Sequence, residues 1–156
     1  MPAPAPSTAP SALPADFRWW TDPTGFRVAV PSRWIGGADG QDGALFRGPD
    51  GLSSLWIRPA PPGGTSPFAI LLTDERAAGL AAYRRVRIDP VPGTSDAVWE
   101  YTYRDAQARP LRAQEQVVVR GGRTYLIEWR TPRAAWAANL PALDVVMNTF
   151  RPPPGT

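Results

Sequence analysis

The chain contains no cysteine and no histidine. Without Cys there is neither a disulfide framework nor a thiolate nucleophile. Without His, the commonest neutral-pH general base and the commonest zinc ligand are both missing. Most hydrolase triads and zinc sites are excluded on these grounds. Lysine is absent too, so all 17 basic residues are Arg. With 20 Pro and 14 Gly, this usage reads as the imprint of a GC-rich coding sequence rather than of phosphate binding. The net charge of +3 is modest, and the Arg side chains are expected to form a solvated surface rather than a nucleic-acid footprint. No apolar run approaches the ~20 residues of a membrane helix; the longest are short pieces such as 68–72.

What is present suits one globular domain: 156 residues, 43% of them hydrophobic, are enough for a single core. Residues 1–15 are rich in Pro, Ala, Ser and Thr, a composition that favours extended polyproline conformations over packed elements. They read as a tether, and 1–21 is assigned to it as a unit, with Phe17, Trp19 and Trp20 packing onto the domain edge. The domain itself is assigned to 22–152 and a short tail to 153–156. A native start at Met1 implies a cytoplasmic protein, because no signal peptide follows it; a chain continuing upstream implies a linker from a preceding domain.

From Asp22 onward strands dominate. Phe26, Val28 and Val30 alternate with polar or small residues up to Pro31. Residues 43–47 and 52–58 flank the turn Gly48-Pro49-Asp50-Gly51 and form a hairpin. Ser66-Pro67 is a cap followed by a first-position proline, and helical spacing runs from Phe68 to about Ala82. Residues 83–89, 97–104, 111–120 and 124–130 alternate as strands. In the first of these, Val86 and Ile88 share a face; Gly121-Gly122 is a hairpin turn between the last two. Thr131-Pro132 predicts a helix start, followed by an apolar stripe of Trp136, Leu140, Leu143, Val146, Met147 and Phe150. The fold class is therefore α+β: a largely antiparallel sheet of about six to seven strands, with one helix in the middle of the chain and one at its end.

These pieces resemble a domain at the C-terminal, extracytoplasmic end of actinobacterial serine/threonine protein kinases of the Streptomyces type. The resemblance is carried by 25–31 with Trp34, by 45–47 with 49–51, by 83–90, by 97–101, and by 125–132 with Trp136, Leu140 and 150–152. The chain departs from the family pattern in having no Trp in its first helix and in a Pro- and Gly-rich loop at 61–64. The resemblance implies an α/β/α sandwich like that of the photosystem II P subunit and the yeast Mog protein, in which helices flank both faces of the sheet. It also implies a kinase inside the cell, a membrane helix and a proline-rich linker leading to this outer module. The implied role is sensing or scaffolding, with an extracellular ligand or protein as partner, self-association as a further option, and no cofactor. A free-standing binding or assembly protein of the same fold, with no kinase attached, is the alternative.

Candidate chemistry is sparse. Glu100, Glu115 and Glu128 each fall in a strand, and adjacent strands bring two carboxylates close enough for acid/base work only when their faces match; pairing with an Arg such as Arg104, Arg112 or Arg130 is the expectation. Asp39, Asp42 and Asp50 lie in glycine-rich loops without EF-hand spacing, so no metal site is assigned. The segment 36–40 lacks the glycine-lysine ending and the following helix of a phosphate loop and is read as a plain loop. Of the seven Trp, most are assigned to packing. Trp34, Trp56 and Arg58 are the candidate ligand-binding residues, because Trp56 and Arg58 share a strand face opposite Leu55 and Ile57 and so present an aromatic beside a cation.

Overall fold

The computed structural model describes residues 13–61 and 65–154. The tether expected over 1–15, residues 62–64 of the Pro- and Gly-rich loop and the last two residues of the tail lie wholly or mostly outside the described residues. The elements in chain order are β1 (Phe17–Thr21), β2 (Arg27–Pro31), β3 (Ile35–Ala38), β4 (Ala44–Arg47), β5 (Ser54–Pro59), α1 (Pro67–Ala78), β6 (Ala81–Pro90), β7 (Ala97–Arg104), β8 (Pro110–Arg120), β9 (Arg123–Pro132) and, after a single 3₁₀ turn, α2 (Trp136–Thr149). Seven strands form one sheet in the order β3-β4-β5-β9-β8-β7-β6, with every neighbouring pair antiparallel. β1 and β2 make a separate two-stranded ribbon. The fold is α+β, as the alternation and turn signals predict.

Because successive side chains of a strand point to opposite faces, the central strand β9 serves two cores at once. Tyr125, Ile127 and Trp129 enter one core with Phe26, Val28, Phe46, Leu143, Val146 and Phe150. Leu126 enters the other, with Leu71, Ile88, Trp99, Tyr101 and Tyr103. α2 and the β1–β2 ribbon therefore roof one face of the sheet, and α1 lies across β6, β7 and β8 on the other. The α2 side is held by aromatic contacts: Trp34 stacks on Trp129 with centroids 4.6 Å apart, and Tyr125 meets Phe150 edge to face at 5.1 Å.

Five local readings change. Residues 17–21, grouped by composition with the tether, pair along their whole length with β2, and Trp20 meets Phe46 edge-on at 5.5 Å. Residues 35–38, part of the supposed plain loop, form edge strand β3. Gly36 is needed there because a Cβ on it would stand 1.9 Å from the Leu45 carbonyl oxygen. α1 starts as expected, with the Ser66 hydroxyl accepting the Ala69 N–H at 3.3 Å, but stops at Ala78, where Gly79 turns into the left-handed region (φ 57°). Thr131 does not cap α2. It is fully buried as part of β9, which stays paired with β8 through Leu111↔Pro132, so the ladder takes the residue that local capping would have used. In β6, register irregularities before and after Arg85 turn Val86 out to solvent while Ile88 stays buried.

The apolar stripe of α2 is narrower than its spacing suggests: Trp136, Leu143, Val146 and Phe150 are buried, Met147 is half-buried, and Leu140 is 39% exposed. Leu143→Ala is accordingly expected to cost about 2–5 kcal/mol in urea unfolding, whereas Leu140→Ala stays within about 0.5 kcal/mol of the parent. Equal losses at the two positions would show that α2 docks by a different face.

Candidate functional site

The three residues singled out in the sequence do not form one group. Trp34 is buried on the α2 side against Trp129; its edge borders a cleft of about 460 Å³ with Asp16, Pro31, Ser32, Arg33 and Pro49. Trp56 and Arg58 lie on the opposite face of the sheet, as strand parity requires. There the Arg58 guanidinium sits 4.1 Å from the Trp56 ring centroid, and the Trp56 indole N–H donates to Asp39 Oδ2 at 3.0 Å. The grouping with Trp34 is thus corrected: Trp34, in the turn between β2 and β3, packs against Trp129, while the parity of β5 keeps Trp56 and Arg58 together on the other face.

Arg58 points into a smaller cleft of about 270 Å³ between α1 and the sheet, which it lines with Asp74, Glu115 and Glu128 against the Trp99 and Tyr101 rings. Those two rings stack at 4.1 Å. The aliphatic border is Ala77 and Ala78 of the last turn of α1, with Leu80 just beyond. A polar clasp holds α1 in this position: Glu75 accepts from Tyr83 Oη and from the Arg85 guanidinium, and Trp99 Nε1 donates to Tyr83 Oη at 3.0 Å. The clasp carries Asp74, one residue before Glu75, over the sheet.

Register assembles the carboxyls. Glu115 on β8 is directly opposite Glu128 on β9, a position where Cβ atoms are typically ~4.5–5.5 Å apart. Glu100 is on the other face and pairs with Arg112 and Arg87, as the expected carboxylate–Arg pairing holds. Glu115 meets Arg58, with Arg58 Nη2 donating to Glu115 Oε1 at 3.1 Å, an Arg two strands away rather than one of the neighbours expected. Glu128 is opposite Trp56 on β5 and takes part in none of the ion pairs found among the described residues.

One guanidinium does not balance three carboxyls in a half-dry setting. Burial pushes the Glu115 carboxyl well above the usual carboxylate range; the hydrogen-bonding neighbour Asp74 and the charges of Asp74 and Glu128 push it further, and Arg58 only partly offsets them. Glu128 is raised as well, chiefly by burial, with Arg130 and Arg58 pulling the other way. Burial, then the charges of Glu128 and Glu115, raise the Tyr101 phenol. Asp74 Oδ2 and Glu115 Oε2 are both buried without a hydrogen-bond partner, and the upward shift favours the protonated form of Glu115.

The loop aspartates do other work. Asp39 accepts the N–H groups of Gln41 and Gly43, and Asp50 those of Leu52 and Ser53. Burial pushes both carboxyls up, but these bonds outweigh it and hold them below the usual range, as expected of turn-closing Asx groups.

The sign of the pH effect follows from the upward shifts. Carboxyls that bind protons more tightly in the folded chain stabilise it fully below the ordinary Glu pKa of about 4.3, and that contribution is lost as pH climbs toward the raised folded values. The melting temperature is expected to fall from about pH 5 to about pH 8, and Glu115→Gln, which keeps the shape without the charge, should flatten that fall and raise the melting temperature at the alkaline end. A melting temperature that rises over this interval, or a Glu115→Gln profile parallel to the parent's, would contradict the raised titration of Glu115.

Comparison with known proteins agrees with this architecture. The model of the serine/threonine kinase C-terminal domain family matches residues 18–152. Among solved structures, a Pseudomonas aeruginosa protein of unknown function described as a putative regulator superposes with a TM-score of 0.58 at 18% identity, over 89% of this chain and 99% of that one. The cyanobacterial PsbP of Synechocystis does so with a TM-score of 0.57 at 14% identity, over 93% and 97%. The Saccharomyces cerevisiae Ran-binding protein Mog1p gives 0.58 at 12% identity, over 87% and 95%. At such identities the likeness is one of fold. No curated protein matches the chain significantly. No helix among the described residues is long and apolar enough to cross a membrane. With 18–152 accounted for by one family and the sandwich shared with PsbP and Mog1p, the chain belongs to the C-terminal, non-kinase domain family of Streptomyces-type serine/threonine kinases.

Proposed function

We propose that this domain is a non-catalytic extracytoplasmic sensor of a membrane-anchored serine/threonine kinase, which binds a ligand or partner outside the cell and thereby biases dimerisation of the kinase inside. Membership of a kinase C-terminal domain family supports the attachment. The observation that carries the sensing role is the cleft under α1, where a 96%-buried Glu115 side chain (4% exposed) keeps one oxygen unpartnered. A fold retains such a group at a cost of about 1–3 kcal/mol or more, and perturbed, incompletely paired carboxyls concentrate where proteins bind or react. The chain has no His or Cys, and the hydroxyl in the cleft lining is the Tyr101 phenol, which burial and the charges of Glu128 and Glu115 hold in its protonated, weakly nucleophilic form.

The proline-rich segment at 1–15 suits a spacer that holds a module away from a surface. In intact cells carrying the parent kinase, externally added protease is expected to remove the domain, and deletion of residues 18–152 is expected to change the kinase's autophosphorylation at least severalfold. Protection of the domain until the membrane is breached, or autophosphorylation indifferent to the deletion, would overturn the reading.

A further inference from the structure

The cleft beneath α1 has a shape and charge that specify a ligand class. Its floor is the Glu115–Glu128 cross-strand pair, its lid is Asp74 from α1, and Arg58 supplies the one guanidinium in its lining. Arg58 is already committed, with Nη2 on Glu115 Oε1 and its plane against the Trp56 ring. That leaves acceptors in excess: Asp74 Oδ2, Glu115 Oε2 and the Glu128 carboxylate, which has no ion-pair partner among the described residues. The Glu115 side chain is 4% exposed, and its unpartnered oxygen belongs to a residue that lines the cleft. The remaining walls are the stacked Trp99 and Tyr101 rings and the aliphatic residues Ala77, Ala78 and Leu80.

We infer that this cleft binds a small organic ammonium ion, a protonated primary amine on a short aliphatic stem, with its three N–H groups directed at Asp74, Glu115 and Glu128. An ammonium has three donors and no acceptor, which matches three carboxyl groups that each keep acceptor capacity beyond the Arg58 bond to Glu115 Oε1. Aromatic faces attract such a cation, and the end of α1 that borders the cleft is its C-terminal end, where the helix dipole also favours positive charge. The stem rests on the apolar wall. A divalent metal fits less well: calcium takes six to eight oxygen ligands at about 2.3–2.6 Å, the Arg58 guanidinium stands 3.1 Å from one of the carboxylates, and no group of three or more acidic side chains among the described residues has metal-binding geometry. At about 270 Å³ the cleft is also smaller than the ~300–1,000 Å³ of most drug-sized sites, so the ligand is small. The ammonium takes the place of the proton on Glu115, which leaves to solvent. No bond but the carboxyl O–H changes, and affinity rises with pH as protons on Glu115 and Glu128 cease to compete, with the guanidinium groups of Arg58 and Arg130 as the cationic neighbours.

The ligand class deepens the sensing role and rests on it only for the compartment in which the amine is met. Titration calorimetry of the 156-residue chain with 1,5-diaminopentane, n-pentylamine, pentanoate and calcium chloride tests it without any kinase present, so a failure here leaves the topology and autophosphorylation experiments untouched, and the reverse. Saturable binding of both amines is expected, tighter at about pH 8 than at about pH 6, with no binding of pentanoate. Glu115→Gln is expected to weaken the amines by about tenfold or more, and Asp74→Asn, at a half-buried position of the helix lid, provides the second variant should the first fail to fold. Absence of saturable amine binding, unchanged affinity in both variants, or binding of calcium in place of the amines would each overturn the inference.

Discussion

The two-residue turn Gly121-Gly122 is the constraint on which this structure depends. Both residues have positive φ, 56° and 76°, the combination that a tight primed hairpin turn needs and that only glycine adopts without strain. The turn fixes the ladder between β8 and β9 from Arg120↔Arg123 outward to Leu111↔Pro132. A slip of one residue would exchange the two faces of a strand. It would turn Trp129 and Ile127 away from α2 and bring Glu128 under it. The same ladder that seats the aromatic core under α2 therefore places Glu115 and Glu128 side by side under α1.

The two faces of the sheet are filled by different physics. Under α2 the interior is aromatic and aliphatic: Trp34 on Trp129, Phe26 and Phe150 around Tyr125. Shape complementarity of that kind supplies stability and needs no charge. Under α1 an aromatic wall at Trp99 and Tyr101 gives way to three carboxyls and one guanidinium. Such a group is destabilised by its own repulsion at neutral pH, and protons relieve it. The chain keeps part of its interior in a state that added positive charge would stabilise.

Much of the architecture was legible because it is written in local patterns. The alternation in 97–104, 111–120 and 124–130, the Pro49-Asp50-Gly51 turn and the Ser66-Pro67 cap each carry their own signal, and the structure places strands and a helix there. Apart from the end of α1, which the local Gly79 cap sets, the misses depend on partners distant in sequence. β3, with two glycines in four residues, has almost no intrinsic strand propensity and exists because β4 pairs with it. Thr131 looks like a cap until β8 is seen to claim it. The candidate site shows the same limit. Trp56 and Arg58 are visible on one strand face, but the side of Trp34, a turn residue between β2 and β3, is set by its stacking on Trp129, far along the chain. Asp74 carried no signal at all, lying on a helix face whose docking is decided by the buried Leu71 and by the Glu75–Tyr83–Trp99 clasp. Glu115 and Glu128 could be named but not paired, because pairing is a matter of register.

The claim at the centre is that Glu115 and Glu128 sit together under α1 and hold protons that ordinary surface carboxyls would have released. Side-chain carboxyl carbon shifts, followed by NMR through a pH titration of the intact chain, report this residue by residue. The account predicts that Glu115 and Glu128 titrate well above the ordinary value of about 4.3, while Glu75, clasped by Arg85 and Tyr83, titrates below it. Midpoints for Glu115 and Glu128 at or below the ordinary value would mean that the cluster is solvated and ionised, and would contradict both the register-built site and the role assigned to it.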